Sequence, residues 1–364
     1  MKQILIVANS YKTLFNFRKE FIISLIKLGY RVTLLLPFDS NNSIFDDFKC
    51  DVIQFSFSRF GKNPFVEFLI ILKISKIIKK LKPHSVFTYT IKPNLYVGLI
   101  KLFTSINFNF FPTITGIGQV LNKQTLFSSL LITIYKIAFI KANNVFFQNK
   151  GNLDFMIKSK ILKNHKYTLL NGSGVNLNEY HYVQPKEKDI LTCLIISRVR
   201  KDKGFDEFFS VIPIIHKIYP KVFFEVIGWI EDKVYIFKIK EFSKLDYFFF
   251  HGELTQKKVK EKIALSDFIF HPSHHEGMSN VILEASAIGR PSVASNISGI
   301  NEIIIDKVSG LLFEPKNVKD IFNKLTEFIK MTFEEKIKMG KNARNKVVKD
   351  FDRIDIVKSY IDVL

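Results

Sequence analysis

The feature that most constrains this chain is an alternation kept up from end to end. Short apolar runs of strand length are separated by longer segments with helical spacing. In the first half the runs are 4–8, 31–37, 52–57, 85–90, 108–115, 144–148 and 167–170; in the second they are 191–197, 222–227, 247–250, 268–271, 292–294 and 310–313. Helices are expected at 16–28, closed by Gly29, and at 64–80, 127–142, 205–218, 234–242, 255–265, 279–287, 318–330 and 332–349. Strands that alternate with helices build mostly parallel, doubly wound α/β sheets. At 364 residues the chain suits two domains of about 180 residues each. The turn-rich stretch Asn171-Gly172-Ser173-Gly174 marks the boundary. The expected division is residues 1–172 and 173–364, with the last helix free to pack back on the first domain. Open sheets of this kind bind ligands outside the carboxyl ends of their strands, so two of them joined by a hinge are expected to share a cleft.

The second half carries the most informative stretch, His274-His275-Glu276-Gly277-Met278-Ser279-Asn280-Val281-Ile282-Leu283-Glu284. The strand at 268–271 turns at Pro272-Ser273, and Ser279 is placed to cap the helix that follows. Glu276 then sits in the loop at the strand tip, and Glu284 lies more than one turn inside the helix. Between them the first N–H groups of the helix lack helical partners, an arrangement that attracts phosphate. Two carboxylates on either side can hold neutral hydroxyls, which suits a sugar and a ribose joined by a diphosphate. A second element, Ser197-Arg198-Val199-Arg200-Lys201-Asp202-Lys203-Gly204, follows the run at 191–197 and puts Arg198 and Lys203 at another strand tip.

Charge is uneven. Residues 1–182 hold 24 Lys and Arg against 8 Asp and Glu, a net of +16, while residues 183–364 hold 30 against 26, a net of +4. A basic half points to an anionic partner, and charge alone leaves nucleic acid and an anionic membrane both open. The segment 64–80 joins Phe65, Phe68, Leu69, Leu72 and Ile77 to Lys73, Lys76, Lys79 and Lys80, a pattern that suits a helix lying on lipid. The other apolar stretch, 126–140, is interrupted by Lys136 and falls short of the roughly 20 residues a membrane span needs; it is expected to pack on the first sheet. No signal peptide is read at the start. Cys50 and Cys193 look like small core residues, and no disulfide framework is expected, which fits a reducing cytoplasm.

These residues together resemble a glycosyltransferase of family 4, with the GT-B architecture of two facing Rossmann-like doubly wound domains and a central cleft. The match rests on Ser197-Arg198 through Lys203-Gly204, the Glu276…Glu284 pair, Asn171-Gly172, Gly289-Arg290-Pro291-Ser292-Val293-Ala294 and Ser309-Gly310-Leu311-Leu312-Phe313. In the first half, Thr90-Ile91-Lys92-Pro93-Asn94 and Thr113-Ile114-Thr115-Gly116-Ile117-Gly118 resemble the subgroup that builds bacterial surface polysaccharides on lipid carriers. The resemblance implies a retaining enzyme that moves an N-acetylhexosamine or hexose from a UDP-sugar to a polyprenyl-diphosphate-linked saccharide. It also implies a cytoplasmic protein held peripherally at the inner face of the cell membrane, without nucleic acid as partner. Arg198 and Lys203 would hold the diphosphate and neutralise the leaving group without a metal or other cofactor. Glu276 would contact the donor sugar and Glu284 the ribose, with Gly277, Met278, Ser279 and Asn280 completing the phosphate cradle. Asn9, Lys92, Thr115 and Gly116 are the acceptor-side candidates. The sequence departs from the family in two places: Gly116 stands near where many members carry a histidine, and Asn9-Ser10-Tyr11 replaces the usual paired glycines.

Other constellations weigh less. His271, His274 and His275 lack the spacing of a helical zinc motif, and the expectation is that they line the donor cleft. Asp350-Phe351-Asp352 looks like a solvated helix end. The Lys92-Pro93-Asn94 segment is read as a loop after a strand, where Lys92 can reach an acceptor phosphate or serve as a simple basic turn. No Gly-x-Gly-x-x-Gly follows the first strand, which disfavours a nicotinamide enzyme. A UDP-sugar epimerase of the same fold remains an alternative, as does a basic membrane- or nucleic-acid-binding protein without activity.

Overall fold

A computed structural model describes residues 1–38, 42–55, 63–117, 125–162 and 165–364. It divides into two units, Met1–Ser173 with Arg353–Leu364, and Gly174–Asp352.

The first unit contains strands β1 (Gln3–Val7), β2 (Arg31–Leu36), β3 (Asp51–Gln54), β4 (Ser85–Tyr89), β5 (Asn109–Ile114), β6 (Val145–Phe147) and β7 (Tyr167–Leu169). Among the described residues they form one parallel sheet in the order β3-β2-β1-β4-β5-β6-β7. Ile4, Leu5, Ile6 and Val7 of β1 are all fully buried, because helices cover both faces of a parallel sheet and leave no side of the strand to water. The helices are α1 (Tyr11–Lys27), α2 (Pro64–Leu81), α3 (Ile91–Phe103), α4 (Leu126–Phe139) and α5 (Lys150–Lys158). Ser10 caps α1, its hydroxyl accepting from the Thr13 N–H at 3.3 Å.

Of the expectations for this half, the third strand and Lys92-Pro93-Asn94 need a limit or a correction, and the inward packing of 126–140 holds. The third strand ends at Gln54, and Phe57, in its expected continuation, lies outside the described residues, as does Gly118. Lys92-Pro93-Asn94 is the first turn of α3, not a loop. Proline is tolerated there because an N–H in the first turn has no helical acceptor, and the bare sequence reads as a break. The stretch at 126–140 packs inward, with Tyr135, Ala138 and Phe139 buried in the core.

The second unit contains β8 (Leu191–Ile196), β9 (Val222–Ile227), β10 (Phe248–Phe250), β11 (Phe268–His271), β12 (Ser292–Ser295) and β13 (Gly310–Phe313). They pair in parallel in the order β10-β9-β8-β11-β12-β13. Its helices are α6 (Phe205–Ile218), α7 (Tyr235–Phe242), α8 (Gln256–Leu265), α9 (Asn280–Ile288), α10 (Val318–Lys330) and α11 (Phe333–Asp350). A last helix, α12 (Arg353–Ile361), belongs to the first unit. There Tyr360 packs against Phe21 and Phe146, and Arg353 donates to the Asn16 carbonyl at 2.9 Å.

Each sheet reverses its winding once, between β1 and β4 in the first unit and between β8 and β11 in the second. The connections leave adjacent strands in opposite directions at these points, and a crevice opens at the carboxyl ends. Those two edges carry the candidate residues.

Candidate functional site

In the second unit, the segment after β8 and the segment after β11 meet at the winding reversal. Residues Lys201–Lys203 form one 3-10 turn, closed by Gly204 at φ +75°. A Cβ on Gly204 would stand 2.1 Å from the Pro272 carbonyl oxygen, so only glycine lets this turn sit against the backbone that leaves β11. The close approach brings Lys203 to Glu276. The Lys203 ammonium lies 2.6 Å from Glu276 Oε1, with side-chain exposures of 12% and 15%. It also reaches Ser273 Oγ at 3.3 Å.

Glu276 has a second anchor that the sequence did not reveal. His271, the last residue of β11 and only 4% exposed, places Nε2 at 3.0 Å from the same Oε1. The carboxylate can only accept, so it selects the tautomer with hydrogen on Nε2. Burial by itself would raise the Glu276 carboxyl, but the Lys203 ammonium and the His271 hydrogen bond together hold it well below the usual carboxylate range. Glu276 is therefore an ionised acceptor at neutral pH. Among the described residues both side-chain contacts fall on Oε1, which leaves Oε2 to accept from a ligand hydroxyl.

The expected role of the histidines changes accordingly. His271 is a buried support for Glu276. His274 Nε2 meets Glu207 Oε1 at 3.1 Å, and the His274 N–H donates to the Asp202 carbonyl at 2.9 Å. His275 is exposed. The three rings thus go to separate surroundings, because Glu276 and Glu207 lie on different elements.

Ser279 caps α9, its hydroxyl accepting from the Ile282 N–H at 3.4 Å, and Gly289 closes the helix at φ +90°. The Ser279 N–H, however, donates to the Gly299 carbonyl at 3.0 Å, so this amide is already committed and the phosphate cradle expected there loses one donor. Gly299 approaches so closely that a Cβ would meet the Gly277 carbonyl oxygen at 2.4 Å, which fixes the course of Gly277 and Met278 into the helix. Met278 is buried, while Gly277 and Asn280 are half-buried.

Glu284 lies half-buried in the second turn of α9. Its neighbour is Tyr180, whose hydroxyl accepts from Gln256 Nε2 at 3.0 Å. Burial first, and then the Glu284 charge and hydrogen bond, push the Tyr180 phenol well above its ordinary value. Tyr180 and Gln256 lie 104 and 28 residues from Glu284, and no sequence pattern pointed to them.

Arg198 gives one N–H to Glu231 Oε2 at 2.7 Å, and Arg200 reaches Glu231 Oε1 at 3.0 Å. Arg200 also pairs with Asp202. One carboxylate thus orients two arginines. A guanidinium has five N–H donors, and among the described residues Arg198 gives side-chain hydrogen bonds only to Glu231.

In the first unit, Asn9, Lys92, and Thr115 with Gly116 follow β1, β4 and β5, which are neighbours in the sheet. The fold gathers all four at one edge. Lys92 pairs with Glu67 of α2 at 2.7 Å, and Tyr96 also donates to Glu67. Asn94 is buried and ties the strands together, accepting from Thr88 Oγ1 at 2.6 Å and donating to the Thr113 carbonyl at 2.9 Å. Thr90, before α3, has φ +73°, a backbone a β-branched residue rarely adopts.

Known proteins match this arrangement along most of the chain. The family model described as glycosyl transferases group 1 matches residues 178–346, and that described as glycosyl transferase 4-like matches residues 3–149. The chain is 25% identical to the N,N'-diacetylbacillosaminyl-diphospho-undecaprenol alpha-1,3-N-acetylgalactosaminyltransferase of Campylobacter jejuni, over 96% of this chain and 94% of that protein. It is 36% identical to the UDP-Gal:alpha-D-GlcNAc-diphosphoundecaprenol alpha-1,3-galactosyltransferase of Escherichia coli, over 28% of this chain and 27% of that protein. Among solved structures, HepE of Anabaena in complex with UDP and glucose superposes with a TM-score of 0.80 at 16% identity, covering 100% of this chain and 99% of that one.

Proposed function

The chain belongs to the glycosyltransferases of GT-B fold whose two halves the 4-like and group 1 models describe, and from that premise we propose that it is a retaining family 4 enzyme. It transfers an N-acetylhexosamine or hexose from a UDP-sugar to a saccharide carried on a polyprenyl diphosphate, in bacterial surface polysaccharide synthesis at the inner face of the cell membrane. The observation that carries this is the convergence of Lys203 and Glu276 at the winding reversal of the second sheet, with Glu284 two turns further along the same backbone. The lipid-diphosphate acceptor is supported by the names of the Campylobacter and Escherichia relatives. The uridine donor is supported by the name of the latter.

Each residue has a role in this scheme. Arg198 and Lys203 contact the diphosphate, and their charge stabilises the negative charge that grows on the leaving UDP as the glycosidic bond breaks. They do the work a divalent metal does in other transferases, so no metal is required. Glu276 stays ionised and accepts hydrogen bonds from donor-sugar hydroxyls through Oε2. Its ammonium neighbour keeps that buried charge compensated. Glu284 accepts from the ribose hydroxyls, and Tyr180 with Gln256 fixes the orientation of its carboxylate. Gly277, Met278 and Asn280 contribute backbone to the phosphate end. Asn9, Lys92, Thr115 and Gly116 serve the acceptor.

The test is a donor screen. Purified protein is incubated with a panel of UDP-sugars, with and without a membrane lipid extract, while released UDP and the mass and anomeric configuration of the product are followed. UDP release that depends on the extract, with a product of retained configuration, is expected. Conversion of UDP-GlcNAc to an isomeric UDP-sugar without acceptor would make the protein an epimerase instead.

A further inference from the structure

Trp229, the only tryptophan of the chain, follows the tip of β9 and is 46% exposed. A side chain of this size is ordinarily covered over most of its surface, and the roles assigned above leave it unused. Its backbone is held from both sides. The Gly228 N–H donates to the carbonyl of Gly252, beyond β10, at 2.8 Å, and the Trp229 carbonyl accepts from the N–H of Val199, beyond β8, at 2.9 Å. A Cβ on Gly228 would stand 1.9 Å from the Ser197 carbonyl oxygen, so only glycine allows the approach. The tips of β8, β9 and β10 are thereby joined into one edge, with Trp229 in the middle of it.

The side of the sheet that the ring takes follows from strand alternation. In β9, Val222, Phe224 and Val226 enter the core shared with α6, whereas Ile227 enters the core of the other face, shared with α8 and α9. Past the strand end, Ile230 packs against the first core again, so Trp229 and Glu231 on either side of it turn to the α8–α9 face. In β8, Leu194 and Ile196 lie on the α8–α9 face and Val199 on the other, which puts Arg198 beside Trp229. The Arg198–Glu231 pair at 2.7 Å joins the two strand tips there. Glu284 belongs to α9, and its neighbour Tyr180 accepts from Gln256 in the first turn of α8, the helix that follows β10. A nucleotide with its diphosphate on Arg198 and Lys203 and its ribose on Glu284 therefore brings its base to the β8–β10 edge, where the indole is exposed. The sugar end lies the other way, at Glu276 beyond the tip of β11.

We propose that Trp229 is the face on which the donor's nucleobase stacks, and so the residue by which the site prefers a nucleoside diphosphate to a diphosphate without a base. This rests on the transferase reading and deepens it. The residues assigned to the donor so far grip sugar hydroxyls, ribose and phosphate, and none of them meets the base. A flat, half-exposed indole fixed at its backbone offers a base an apolar surface at little cost in side-chain order.

Because Trp229 is the only tryptophan, its fluorescence reports on this one side chain. Acrylamide quenching is measured in the free protein and with saturating UDP, UDP-glucose or an abasic ribose diphosphate. Calorimetry gives the affinities of the wild type, Trp229→Ala and Trp229→Phe for the same ligands. UDP is expected to shield the indole and the abasic ligand to leave it open. Trp229→Ala should bind UDP about tenfold more weakly and keep its affinity for the abasic ligand, and Trp229→Phe should restore most of the loss. UDP that binds while the indole stays as accessible as in the free protein overturns the proposal and leaves the transferase reading standing. Shielding by UDP-glucose but not by UDP also overturns it, since the ring would then meet the sugar. So does a Trp229→Ala protein that loses the same factor for UDP and for the abasic ligand, the mark of a deformed edge. A wild type that binds none of the three ligands refutes the UDP-sugar donor and the stacking role together.

Discussion

Replacing Lys203 by alanine removes the counter-ion of Glu276 and one of the two cations assigned to the diphosphate. The contact is 2.6 Å long and both side chains are largely shielded. At an effective dielectric constant of about 20, two unit charges that close attract by roughly 6 kcal/mol before desolvation is counted. Losing one partner of a buried pair costs about 3–5 kcal/mol, because the other charge is stranded. Residual exposure and the His271 contact at 3.0 Å moderate this, so a loss of about 2–3 kcal/mol is expected. For a domain of this size that lowers the melting transition by about 5–10 °C. The effect on catalysis is separate. Loss of one group that stabilises developing charge costs about 100-fold in kcat/KM, or about 2.7 kcal/mol. The two effects are resolved by the double variant Lys203→Ala/Glu276→Gln, in which no charge is stranded. Initial rates of UDP release and scanning fluorimetry on both variants make the comparison. Stability should recover in the double variant while activity stays low. A single variant with kcat/KM within about threefold of wild type, well short of the loss expected for a charge-stabilising group, would refute the assignment.

Other outcomes follow from the same geometry. Glu284→Ala should weaken UDP binding by about 1–3 kcal/mol, the scale of hydrogen bonds to a charged group; unchanged affinity by calorimetry would remove the ribose role. Arg198→Ala should lower kcat/KM by roughly 100-fold, and chelators should leave the wild type active; activity that disappears in EDTA and returns with manganese would contradict this. Glu276 carries a depressed pKa, so its contribution to stability is present above the ordinary carboxylate pKa of about 4.3 and is lost as pH falls through its lower folded value. The gap in melting temperature between wild type and Glu276→Gln should therefore be full at neutral pH and should narrow in acid below that ordinary value. A gap that widened on acidification would show that the carboxyl is protonated in the folded protein.

Much of this site was legible in the sequence because its parts are local. Strand β11, the turn at Pro272, the Ser279 cap and the Gly289 stop lie within a single stretch, and each has its own chemical signature. Lys203-Gly204 could likewise be placed at the tip of β8 from periodicity alone. What the sequence did not show was which strand tips meet. The His271–Glu276 bond depends on a ring buried at the end of a strand, and His271 looked no different from His274 beside it. Tyr180 reaches Glu284 from a remote element and is itself held by Gln256 from another, and only the completed fold brings them together. The Ser279 amide seemed free because its acceptor, Gly299, arrives from beyond β12. Lys92-Pro93-Asn94 was mistaken for a loop because a proline right after a strand reads as a break, and the tolerance of proline in a first turn helps only once the helix start is known. The outer face of α2 was visible as a mixture of lysine and apolar residues, but which of them face outward depended on how the helix packs.

The central claim is that the Glu276 carboxylate acts on the donor sugar, and turnover by Glu276→Gln tests it most directly. Glutamine keeps the size of the side chain and removes the charge, so UDP affinity should stay within about threefold of wild type, a difference below about 1 kcal/mol. Transfer from the UDP-sugar should fall by roughly 100-fold or more, the cost of one electrostatic group in a transition state. A folded Glu276→Gln enzyme that transfers sugar at the wild-type rate would contradict the account.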